Sequence, residues 1–70
     1  MGEWALQTFY FVAIPRLDGT APTLEKAIEG RFFLDPSDAQ AFRLHTLVED
    51  GITASVFFAT ATIPRQKPLP

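Results

Sequence analysis

Two stretches of the chain carry no charge and alternate between two apolar sets. Residues 4–14, WALQTFYFVAI, place Trp4, Leu6, Thr8, Tyr10, Val12 and Ile14 on one side of an extended backbone and Ala5, Gln7, Phe9, Phe11 and Ala13 on the other. Aromatic and β-branched residues populate both sets, which predicts a strand that is apolar on both faces and ends at Pro15. Residues 52–63, ITASVFFATATI, have the same character and end at Pro64. The Pro-Arg pairs that follow, Pro15-Arg16 and Pro64-Arg65, read as gatekeepers that stop two aggregation-prone strands from extending.

The intervening chain is more polar. Residues 16–22, RLDGTAP, hold Asp18-Gly19, a dipeptide suited to positive φ, and Pro22, which forbids regular pairing, so a loop is expected. Residues 23–34 support two readings. Leu24, Ala27 and Ile28 have helical spacing behind Thr23, whereas Gly30 and the run Phe32-Phe33-Leu34 favour a strand. The strand is the preferred expectation, with a helical turn near Leu24 as the alternative. Lys26, Glu29 and Arg31 would then place this second strand at a sheet edge, where charge discourages further pairing.

Asp35-Pro36-Ser37-Asp38 is the clearest local signal. Asp35 can cap a helix, Pro36 suits its first position because the missing N–H costs nothing there, and Asp38 complements the dipole. The helix runs to Gly51, with Ala41, Leu44 and Val48 as its expected buried stripe and Phe42 and Leu47 beside it. These elements, in the order strand, strand, helix, strand, predict an α+β domain: a three-stranded antiparallel sheet of order 2-1-3 with one helix on one face. The domain occupies residues 1–64, and residues 65–70 read as an extended Pro-rich tail.

Composition narrows the function classes. The chain has 70 residues, 47% of them hydrophobic, with seven Phe, so it has the makings of one folded domain with a thin stability margin. It has no Cys and one His, which leaves self-association as the remaining device by which small domains gain stability. A net charge of −2 with six scattered basic residues argues against nucleic acid as a partner, because phosphate neutralisation needs clustered Lys and Arg. The N-terminus lacks a basic export signal and the apolar run 9–14 is too short to span a bilayer, so a cytoplasmic protein without a membrane partner is expected.

No catalytic residue is assigned. Ser37, Ser55 and the single His45 do not make a nucleophile and base pair, and Asp35 and Asp38 read as helix-start residues rather than metal ligands. No glycine pattern suits a phosphate, so neither a cofactor nor a small-molecule substrate is expected. What remains is surface. A single helix covers one face of a sheet, leaving either the Phe9, Phe11 and Phe57 set or the Trp4, Tyr10 and Phe58 set for contact with another protein or a second copy, a homodimer.

The stretch Arg31-Phe32-Phe33-Leu34-Asp35-Pro36-Ser37-Asp38-Ala39-Gln40-Ala41-Phe42-Arg43-Leu44 resembles a pattern found in small uncharacterised proteins of tailed bacteriophages. It covers about a fifth of the chain, and Val48-Glu49-Asp50-Gly51 stands where those proteins have a short Trp- or Phe-Gly ending. The resemblance implies no defined activity. It implies a bacterial host as setting and, as roles, an inhibitor that binds a host or defence protein or else a virion or assembly component. A nucleic-acid-binding regulator is the remaining class, disfavoured by the charge.

Overall fold

A computed structural model describes residues 4–64, apart from the side chains of residues 63 and 64; the expected tail lies outside the described residues. The protein is α+β. It has one antiparallel sheet of two strands, β1 (Trp4–Ala13) and β2 (Ser55–Pro64), and one helix, α1 (Pro36–Asp50). The strands pair without a break from Trp4↔Pro64 to Ala13↔Ser55.

Both ends of α1 form as their residues dictate. The Asp35 carboxylate accepts the backbone N–H of Ser37 at 2.8 Å and its hydroxyl at 2.7 Å, and Pro36 opens the helix. Gly51 closes it at φ 67, a left-handed conformation open to glycine, with its N–H on the Leu47 carbonyl at 3.1 Å. The chain is thereby turned back into β2.

The expected second strand does not form, and with it the order 2-1-3. Residues 23–34 instead make two short 3₁₀ turns, Leu24–Lys26 and Ile28–Gly30, then a single bridge from Phe33 to Tyr10. Glu29 at φ 58 and Gly30 at φ 62 explain the difference, since two consecutive left-handed residues cannot lie in a pleated ladder. The helical alternative near Leu24 is the one that holds, as one 3₁₀ turn.

The core has two halves, one on each side of the sheet. Val12 packs with Ala39, Phe42 and Ala54 beneath α1, with Tyr10, Phe33 and Val56 alongside. On the other side Phe11 and Ala13 pack with Ala27, joined by Phe57 and Ala59. The excursion between β1 and α1 thus covers the face that the helix does not. This corrects the expectation that one whole face is left bare, and it removes Phe11 from any contact surface, since that ring is 1% exposed.

The helix also turns a different side to the sheet than its sequence pattern suggests. Ala39, Phe42 and Thr46 are buried, while Ala41, Leu44 and Val48, the expected core stripe, face solvent. Phe42 decides the orientation. Its ring lies 5.5 Å from that of Phe33, and the Arg31 guanidinium sits 5.0 Å from its centroid. One large aromatic contact and one cation–π contact outweigh three smaller aliphatic ones. Thr46 is tolerated in the interior because its hydroxyl donates to the Arg43 carbonyl one turn back, at 2.9 Å.

Candidate functional site

Coverage of the sheet changes along its length. Where Tyr10–Ala13 pair with Ser55–Phe58, α1 packs on one face and the excursion on the other, and this is the base. Where Trp4–Thr8 pair with Thr60–Pro64, no described residue belongs to either core cluster, and this end forms an arm. The even-numbered residues of both strands share the face on which α1 sits, because Tyr10, Val12 and Val56 contact the helix layer. On that face, past the helix, Trp4 is 61% exposed, Leu6 72% and Phe58 69%. Among the described residues of the sheet, these are the large apolar side chains that stand exposed.

The six residues expected at an interface therefore separate. Trp4 and Phe58 are exposed on one face, Trp4 in the arm and Phe58 at the edge of the base opposite Tyr10. Tyr10 is half-buried, held between Phe58 in β2 and Phe33 across the bridge, with its N–H and C=O both bonded to Phe33 at 2.7 and 2.8 Å. Phe9 and Phe57 are half-buried on the opposite face, where Phe9 lines a small apolar notch with Leu24 and Phe32. Phe57 lies 5.9 Å from buried Phe11, with the two rings tilted by 31°. Leu6 was not singled out by the sequence reading, although its alternation with Trp4 already placed both on one face.

The hydrogen-bonding direction of each strand residue follows from the Tyr10 bridge. Both backbone groups of Tyr10 point away from β2, so even-numbered residues of β1 point outward and odd-numbered ones bond β2. In β2, by the same register, Val56, Phe58, Thr60 and Thr62 point away from β1. Among the described residues no backbone group pairs with that row.

Elsewhere the polar groups are engaged locally. Asp18 accepts the Thr20 hydroxyl at 2.7 Å and its N–H at 3.0 Å, and Arg16 lies 3.4 Å away; the Thr20 bonds first, then Arg16, hold this carboxyl below its ordinary range. Asp35 is held low in the same way by the Ser37 hydroxyl and amide. A groove of about 770 Å³ runs between Ile14, Leu17, Pro22 and Ile28, with Arg16 and Lys26 on its rim. His45 stacks on Phe42 at 6.3 Å. Among the described residues no group of three or more His, Asp or Glu converges as a metal site, and no helix is long and apolar enough to cross a membrane.

No protein-family model, curated protein or solved structure matches the chain.

Proposed function

We propose that this protein acts by binding another protein, without catalysis, through the arm of its sheet. The observation that carries the reading is the exposure of Trp4 and Leu6 on one face of the arm, with Phe58 at the edge of the base exposed on the same face, in strands with no charge from residue 4 to 14 or from 52 to 64. At the usual size of aromatic side chains, Trp4 and Phe58 leave about 300 Å² of apolar surface in water, spread along one face of the sheet. Trp and Phe are also residue types enriched at protein–protein contacts.

The resemblance of residues 31–44 to small phage proteins supplies the biological setting of the proposal. The protein works in the cytoplasm of a bacterial host and binds a host or defence protein, blocking it by occupying a surface. Affinity capture from a bacterial lysate, read by mass spectrometry with the parent chain, Trp4→Ser/Phe58→Ser and Leu44→Ser in parallel, tests it. A partner held by the parent and by Leu44→Ser but lost from the double variant supports the arm. A partner set indifferent to the arm variant overturns it.

A further inference from the structure

We infer that the outer edge of β2 pairs with the same edge of a second copy, joining two sheets into one of four strands about a two-fold axis at Ala59. The inference names the occupant of one side of the arm, and so rests on reading the arm as a contact surface.

Edge management in this sheet is one-sided. On β1 the outward groups of Tyr10 are taken by Phe33, and the Gln7 side-chain amide donates to the outward carbonyl of Thr8 at 3.0 Å. Among the described residues, no segment covers the outer edge of β2 and no bulge interrupts it. It is ten residues long and contains neither Lys nor any other charge, and its one Pro, Pro64, stands at the end. Two strands alone make a marginal sheet, and further strands stabilise it.

Three features select a second copy as the occupant. First, two-fold pairing sets like against like, which an uncharged strand tolerates and a charged one does not. Second, a single register uses the whole outward row. Centred on Ala59, it pairs Phe58 with Thr60 and Val56 with Thr62 of the other copy, each pair occurring twice. Pro64, which has no N–H to give, falls just outside it. The two Phe58 rings are then diagonal neighbours on one face, a distance that aromatic side chains span. Third, coverage is reciprocal. Antiparallel pairing lays the bare arm of one copy beside the helix-covered base of the other, on the same sheet face.

The chain has no cysteine, so one introduced thiol reports the axis directly. Ala59 sits at a non-hydrogen-bonded position of the new pair, where facing Cα atoms lie about 4.5 Å apart, within disulfide reach. Ala59→Cys is expected to link to itself under mild oxidant, whereas Leu44→Cys on the outer helix face is not. Light scattering should report a dimer for the parent. Thr60→Pro deletes an outward N–H that bonds to no described residue of the single chain, so it should keep the parent's circular dichroism while weakening the dimer on the order of tenfold or more. In the parent itself, exchange of the Thr60 amide should slow as protein concentration rises.

A monomer at high micromolar concentration overturns the inference. So does a dimer that survives Thr60→Pro undiminished, links through Leu44→Cys instead, or leaves Thr60 exchange independent of concentration. The capture experiment is read separately. A monomer that loses its partner on Trp4→Ser/Phe58→Ser sinks the pairing and leaves the arm reading standing. A dimer through β2 whose captured partners ignore those substitutions does the opposite.

Discussion

The base and the arm of the sheet are made from the same two strands, in one unbroken register, yet they live in different surroundings. At the base, Phe11, Val12 and Ala13 are enclosed on both faces; five residues earlier in the same strand, Leu6 stands in water. Hydrogen-bonded pairing is therefore continuous where burial is not. Stability resides at one end of the ribbon, and the uncovered apolar surface lies at the other. The mismatch between sheet and cover runs along the strands and not from one face to the other.

Substitution should expose this contrast most strongly. Phe11→Ala removes a fully enclosed ring, at a cost of about 3–5 kcal/mol, which rivals the whole stability of a small domain. It is expected to be largely unfolded by circular dichroism at room temperature. Leu6→Ala on the same strand should shift a urea midpoint by no more than about 0.5 kcal/mol. Comparable losses from the two would erase the distinction between base and arm.

The helix stop comes next, because Gly51 aims the chain from α1 into the base. Gly51→Ala forces a side chain into a left-handed conformation, and a loss of about 1–2 kcal/mol is expected in the same denaturation assay. Thr46→Val is the smaller test of how the base is filled. The hydroxyl satisfies itself within its own turn, so its removal should change stability by less than about 1 kcal/mol in either direction. A larger loss would mean that the hydroxyl does more than satisfy itself.

The smallest effect concerns acid. Asp18 and Asp35 both sit below their ordinary pKa, so the folded chain holds its carboxylates more readily than the unfolded one. Their contribution is complete above about pH 5, begins to fall there and is lost as pH falls through the lowered values. Melting temperatures should hold from neutrality down to that point and decline below it, with a shallower acid decline in Asp18→Asn/Asp35→Asn. Both carboxyls belong to turns that serve the base, and neither lies on the arm.

Local chemistry was legible in the sequence, and relations between distant segments were not. The strand at residues 4–14 and the strand at 52–63 were found to within three residues of their observed bounds, and Asp35, Pro36 and Gly51 marked the helix. Each of those signals acts within a few neighbouring residues. Residues 23–34 misled because their apolar composition suits a strand, while Glu29 adopts a left-handed conformation that its residue type does not announce. The helix misled differently. Ala41, Leu44 and Val48 make as plausible a stripe as Ala39, Phe42 and Thr46, and the choice fell to Phe33 and Arg31, which meet Phe42 only after folding. Of the expected contact residues, Trp4 and Phe58 could be read from the pattern. Phe11 could not be excluded from it, because its cover, Ala27, is a small residue in an irregular segment.

The pairing of β1 with β2 also shapes how the molecule must assemble. Its nearest partners, Ala13 and Ser55, bracket most of the chain, so no hairpin turn can start the ladder. Loop-closure entropy has to be met before the first rung forms, which slows folding relative to a helical protein of equal size. Until then two uncharged, aromatic-rich segments are free in the same chain, and the helix and the Tyr10–Phe33 bridge are the shorter-range events that draw them together.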